Sequence, residues 1–295
     1  MKKIIIFLCF FCIFVYSKDI SNNILITFDI WKNNLVPSLF PFLILSKFVL
    51  NYNFSFKFLN NIFSKIFNIN PNCFNIFLMS MISGFPSSSK YTKELLDNNV
   101  ISKEDSEKII LFSHFANPAF IFIVISSNFF NNFNVGYIIL FSHYFTNIII
   151  GLMIRDNKYT YKIDNYKFIP KSFGQLLSSS IKESMDTLFL ILGSLVTYSI
   201  IITLFNKLPI NIYYKSIISG FIELTNGLKS ISILNLSLKL KASFATMFLS
   251  FGGLAIHTQI ISILKINYLK FIKYRFIHGL ISFGITFILM YLLQM

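Results

Sequence analysis

The sequence predicts an all-α polytopic membrane protein made of two inverted repeats that contain broken or re-entrant helices. Three observations predict it. Hydrophobic residues make up 55% of the 295-residue chain and charged residues 13%, with a mean hydropathy of +0.66; a soluble domain holds about 45–50% apolar residues even with glycine counted. Several apolar runs are long enough to cross a bilayer, and the short alternating segments of a membrane β-barrel are absent. Polar breaks recur inside these runs at a nearly fixed interval: Ser83-Gly84-Phe85 is matched by Ser219-Gly220-Phe221 136 residues later, and Ser113 by Ser250 137 residues later. A third landmark, Phe42-Leu43-Ile44-Leu45-Ser46 against Phe189-Leu190-Ile191-Leu192-Gly193, recurs in the same order at an offset of 147.

In chain order, Lys2 and Lys3 precede an apolar run over 4–16, expected to be retained as a first membrane helix although Val15 and Ser17 offer a passable signal-peptide cleavage site. Residues 22–34 read as an interfacial helix with Trp31 near the headgroups. Residues 35–50 form a span carrying Pro37 and Pro41, 54–67 a surface helix with Lys57 and Lys65, and 72–83 a return into the membrane. At Gly84-Phe85-Pro86 a helix must stop, because glycine admits left-handed backbone and proline lacks a donor and restricts its predecessor. Ser102-Lys103-Glu104-Asp105 reads as a capping box, and Asn117-Pro118 as the cap and opening of the next apolar segment. Residues 135–155 span, as do 185–205; 217–236 hold Glu223, 243–264 hold Gly252-Gly253, and 276–293 are the last span. The predicted organisation is therefore 1–34 for the membrane and interfacial helices, 35–155 for the first repeat, 156–183 for a basic loop and surface helix, and 184–295 for the second repeat and last helix.

The net charge of +14 does not point to nucleic acid. Arg155, Lys158, Lys162, Lys167, Lys171 and Lys182 outnumber Asp156 and Asp164 in the central loop, and Lys265, Lys270, Lys273 and Arg275 form a second acid-free cluster. Short basic loops beside apolar spans are cytoplasmic. With the N-terminus inside, the span over 35–50 then runs inward and that over 185–205 outward, so the repeats are inverted; paired broken helices in inverted repeats are the architecture of secondary transporters. Cys9, Cys12 and Cys73 lack the partners of a zinc site and read as inert thiols.

Candidate site residues follow from the cost of polar groups at membrane depth. In Gly220-Phe221-Ile222-Glu223-Leu224-Thr225-Asn226-Gly227, Glu223 and Asn226 share a helix face, with Thr225 beside them, placed to bind a polar solute, proton or cation; an interhelical hydrogen bond is the bland alternative. His257 and Gln259 follow Gly252-Gly253 and are expected at the same cavity, against a packed histidine. Ser87, Ser88 and Ser89 occupy a first helical turn whose free amides suit an anion or carbonyl, against an ordinary kink, and Asn117 marks the other first-half break. His114, His143 and His278 read as structural. The second glycine of a Walker loop is missing after Ser83-Gly84, and no GxSxG or HExxH occurs, so the chain is not expected to be an enzyme.

At these motifs the chain resembles the YlbJ-type sporulation integral membrane proteins, which carry two nucleoside recognition, or Gate, domains. The resemblance spans most of the chain and rests on Pro37-Ser38-Leu39-Phe40-Pro41-Phe42, Ser83-Gly84-Phe85-Pro86 with Lys90, Asn117-Pro118-Ala119-Phe120-Ile121-Phe122, the Gly220 to Gly227 stretch, and Ser250-Phe251-Gly252-Gly253-Leu254-Ala255-Ile256-His257-Thr258-Gln259. It implies a multi-pass cell-membrane protein of endospore-forming bacteria, in the mother-cell or forespore membrane and needed for spore cortex formation, with a remoter likeness to concentrative nucleoside transporters. Ser87 and Ser88 depart from it, standing where small glycine or alanine residues are usual. The function expected is a transporter-like permease for a small polar solute such as a nucleoside-like compound, and its rival is a non-transporting membrane scaffold or assembly factor of the developing spore. Expected partners are the lipid bilayer and the solute, not nucleic acid; a homo-oligomer or contacts with other sporulation membrane proteins stay open. No cofactor is expected, and Na+ or H+ is left open as coupling ion.

Overall fold

Helices form every regular element of the described residues, which in this computed structural model are 11–51, 57–156 and 172–294. Lys2, Lys3, Cys9, Lys158, Lys162, Asp164, Lys167 and Lys171, and with them most of the predicted first run and central loop, lie outside the described residues. Four helices are long and apolar enough to cross a membrane: α7 (Val135–Met153), α8 (Phe173–Phe205), the pair α11 (Leu238–Phe251) and α12 (Gly253–Ile263) taken together, and α13 (Tyr268–Leu292).

Their faces are distributed inside out. Helix α13 buries Arg275, His278, Ser282 and Thr286 and exposes Phe276, Leu280 and Ile288; α7 buries Ser142, His143, Thr146 and Asn147 and exposes Phe141, Phe145 and Leu152. In water this arrangement would sacrifice the hydrophobic driving force, whereas in lipid small and polar residues belong between helices. The Thr286 hydroxyl accordingly bonds Thr246 on α11 at 3.0 Å, and the Asn23 amide bonds the Ser199 carbonyl and the Thr203 hydroxyl at 3.1 and 2.8 Å.

The N-terminal segment is a helical rod, α1 (Ser17–Ile30), a π turn (Trp31–Leu35) and α2 (Val36–Asn51), packed along α8. This corrects the expectation of a separate interfacial helix. The Trp31 indole donates to the Leu188 carbonyl at 3.0 Å and its ring lies 6.2 Å from Phe189, so it makes an interhelical contact. Helix α8 starts already at Phe173, within the stretch expected to be loop and surface helix.

Each half then contains a folded-back helix pair followed by a broken helix. In the first half α3 (Lys57–Phe67) leads to α4 (Cys73–Ser83), which stops at Gly84 before α5 (Ser87–Asp97); α6 (Lys103–Phe112) opens on the Ser102/Asp105 capping box and ends before an extended stretch. There the Asn117 side-chain oxygen Oδ1 accepts from the Phe120 amide at 2.7 Å and a π-helix (Phe120–Phe129) begins. In the second half α9 (Ile212–Ile222) and α10 (Leu224–Ile233) reverse at Glu223, and α11 and α12 meet at Gly252. The reversal is tight: a methyl group on Gly227 would sit 2.0 Å from the Gly220 Cα, so glycine at 227 lets the backbones touch, while a Cβ on Gly220 would meet the Phe248 ring.

Candidate functional site

The breaks of the two halves converge on one small cavity. Glu223 and Thr225 reach it from the second-half reversal, Asn117 and Phe85 from the first-half breaks, and Gln259 from nearly two turns beyond Gly253. Both π segments also contribute to the wall, through Leu35 and Phe120. The remaining wall is apolar, with Leu39, Leu195 and Ile256 among it.

Glu223 is held by its own chain. Its extended backbone makes it the N-cap of α10, and its carboxylate accepts from the Thr225 amide at 2.8 Å, the Asn226 amide at 2.8 Å and the Asn226 side-chain amide at 2.9 Å. These donors, together with the positive end of the helix dipole, offset the cost of burying a carboxylate that is 1% exposed. Gln259 differs. Its NH2 donates to the Ser194 hydroxyl at 2.5 Å, and that hydroxyl donates onward to the Ile191 carbonyl, which fixes the amide's orientation. The Gln259 carbonyl oxygen is therefore buried without a partner. Asn117 donates to the Ser38 carbonyl at 2.7 Å and is fully used. Among the described residues no lysine, arginine or histidine lines the cavity, so it offers acceptors in apolar walls. Its volume is about 40 Å3, room for about three waters at ~10–15 Å3 each.

The other residues singled out in the sequence lie elsewhere. Asn226 holds the Glu223 carboxylate but does not line the cavity. His257 turns away from it: Nε2 pairs with the Phe251 carbonyl at 2.8 Å and Nδ1 lies 3.4 Å from the Tyr268 hydroxyl, between aromatic rings. Ser89 donates to the Pro86 carbonyl at 2.6 Å, and Ser88 is buried with an unpartnered hydroxyl. Ser87 faces a separate crevice of about 10 Å3 beside Lys47, Lys90 and Glu183, where Lys47 pairs with Glu183 at 2.6 Å and Glu94 at 3.5 Å.

Arg275 is the residue that sequence reasoning misplaced. Counted as a loop cation, it is fully buried, with one guanidinium nitrogen donating to the Leu111 carbonyl and another 3.5 Å from the Ser250 carbonyl. Those carbonyls belong to the last turns of α6 and α11, the helices that break on either side of the cavity. Among the described residues no carboxylate pairs with it. Around it His143 accepts from the Ala116 amide at 3.0 Å, pairs with the Ser250 hydroxyl at 2.8 Å and stacks on His278 at 5.2 Å. The signal was the period: Phe271, Arg275, His278, Ser282 and Thr286 fall on one face of a helix whose opposite face is apolar.

Comparison with known proteins agrees with the motif-level resemblance. The chain is similar to the sporulation integral membrane protein YlbJ of Bacillus subtilis (strain 168), 25% identical, with 82% of this chain and 70% of that protein covered. No family model matches the chain, and no solved structure matches it. The expected likeness to YlbJ-type sporulation membrane proteins is thus borne out, and the apolar helices bear out a membrane protein.

Proposed function

We propose that this chain is a sporulation membrane protein, serving spore cortex formation, that passes a small polar solute through the cavity where its helix breaks meet. The observation that carries the reading is the Glu223/Gln259 pair of acceptors in a small, largely apolar cavity between two similarly ordered halves. An unpartnered buried carbonyl oxygen costs about 1–3 kcal/mol, a cost that a solute N–H or O–H removes. The solute is therefore donor-bearing, as a nucleoside or amino sugar is. The repeated order of folded-back pair, broken helix and long helix supports inverted Gate-like repeats, with the folded-back pairs as re-entrant elements. The sporulation setting comes from the name of the similar Bacillus protein.

A cavity of about 40 Å3 is too small for a nucleoside, so on this reading the breaks must part to load it. The same small volume favours the second reading, a scaffold whose polar breaks lock helices together. Thermal unfolding of the detergent-purified protein against nucleosides, bases, amino sugars and dipicolinate separates the two. A ligand at about 100 times its dissociation constant adds ~2.7 kcal/mol of stability. The transport reading expects a shift for one class, lost in Glu223→Gln while that variant stays folded; no shift across the panel supports the scaffold.

A further inference from the structure

A large groove lies outside the candidate cavity. On the outer face of the second half, Ile218 and Phe221 of α9, Leu254 of α12, and Ile272 and Phe276 of α13 enclose about 470 Å3 of open, wholly apolar space, with Lys273 at its edge. We propose that this groove binds one acyl chain of an anionic phospholipid, whose phosphate is held by Lys273.

Three observations commit the groove to that occupant. The face is lipid-facing, since the same side of α13 exposes Phe276 and Leu280 beside it, and an apolar recess of this size cannot stay empty at bilayer depth. The charge at its mouth is one-signed: Lys273 is exposed, Lys270 lies about one turn before it, and the sequence holds no acid after Glu223. Among the described residues no carboxylate pairs with Lys273. Lysines at such a position carry their stems along apolar surface and keep the ammonium at headgroup level, where anionic lipids concentrate. A zwitterionic headgroup would meet the same cation with no net charge to offer.

The position has a consequence for the protein's interior. Ile222, the residue before Glu223, and Phe251, the residue before Gly252, also line the groove. A seated acyl chain thus presses against both breaks of the second half, and its binding stabilises the closed arrangement of the breaks. The inference does not rest on transport.

The test is native mass spectrometry of the full chain released from detergent after equilibration with dioleoyl phosphatidylglycerol, dioleoyl phosphatidylcholine or glycerol 3-phosphate. The expected result is retention of one phosphatidylglycerol with about fivefold preference over phosphatidylcholine, and no retention of glycerol phosphate. Lys273→Gln, at an exposed site, brings the two lipids to parity, and Ile218→Trp, which fills the groove, removes that one lipid. Equal retention of both lipids by the unaltered protein, an unchanged preference in Lys273→Gln, an unchanged lipid count in Ile218→Trp, or binding of glycerol phosphate alone would each overturn the proposal.

Discussion

Replacing Arg275 with methionine tests whether this buried cation is a structural staple or a tolerated burden. The guanidinium is 0% exposed and bonds only to the Leu111 and Ser250 carbonyls, at the C-terminal ends of two helices. Each helix end carries about half a negative charge, so two together offset one cation. Methionine keeps most of the side-chain length and the contact with Phe271, whose ring lies 5.7 Å from the guanidinium carbon, but it removes both donors and the charge. Each carbonyl left without its donor costs about 1–3 kcal/mol. Against this, the variant no longer desolvates a guanidinium, a relief of several kcal/mol that the helix ends already offset in the native protein. The expected net loss is ~2–4 kcal/mol, roughly 4–16 °C in melting temperature at the scaling of larger domains. The buried thiol of Cys73 supplies the assay: in a background where Cys9 and Cys12 are serine, a thiol-reactive dye reports its exposure as the protein is heated. Arg275→Lys, with a point charge that reaches one carbonyl, should fall between the two. A methionine variant as stable as the parent, or more so, would refute the reasoning, because uncompensated buried charges behave that way on replacement.

Three further outcomes follow from local geometry. Gly227→Ala places a methyl 2.0 Å from the Gly220 Cα, backbone that cannot yield, and is expected to lose at least ~3 kcal/mol in the same melting assay. Trp31→Phe keeps the ring against Phe189 but deletes the bond to the Leu188 carbonyl; a loss of ~1 kcal/mol is expected, and a larger loss would mean that Trp31 does more than join two helices. Gln259→Leu removes an unpartnered buried oxygen, so its melting temperature should equal or exceed the parent's while any ligand-induced shift disappears; a retained shift would remove Gln259 from the site.

The breaks were legible in the sequence because their cause is local. Glycine and proline at 84–86, Asn117-Pro118, and Gly252-Gly253 interrupt helices wherever they stand, and the structure ends or bends helices at each. The Ser102 capping box was legible for the same reason. Convergence was less so. The sequence offered Glu223, Thr225, Asn117 and Gln259 as site residues and the fold brings them to one cavity, but it offered His257 and Ser89 on equal grounds, and these spend their polar atoms on neighbouring carbonyls. Which way a side chain points from a break depends on the helix packed against it, and Ser194, whose hydroxyl orients Gln259, sits 65 residues away. Arg275 was missed because charge counting treats every lysine and arginine near a span as loop, whereas the facing helix ends that accept it are visible only in the fold.

The small volume of the cavity also says where movement must occur if the solute is larger than a few waters. On the first-half side the backbone is pinned: the Phe85 amide donates to the Phe115 carbonyl at 2.8 Å, and the Gly84 Cα faces the Asn117 amide so closely that a Cβ there would lie 2.9 Å from it. On the second-half side Gly253 lies against the Leu224 amide, but among the described residues no hydrogen bond joins the Glu223 reversal to the α11/α12 break; that break is held from its other side by Arg275 and His143 at Ser250 and by His257 at Phe251. Apolar contacts are non-directional, so sliding one break past the other strands no buried backbone group there, whereas parting the first-half breaks leaves an amide and a carbonyl unpaired in a medium without water. The second-half breaks are therefore the cheaper ones to move. They are also the ones beneath the outer groove, so an acyl chain seated against Ile222 and Phe251 bears on the side of the cavity where no hydrogen bond among the described residues joins the two breaks.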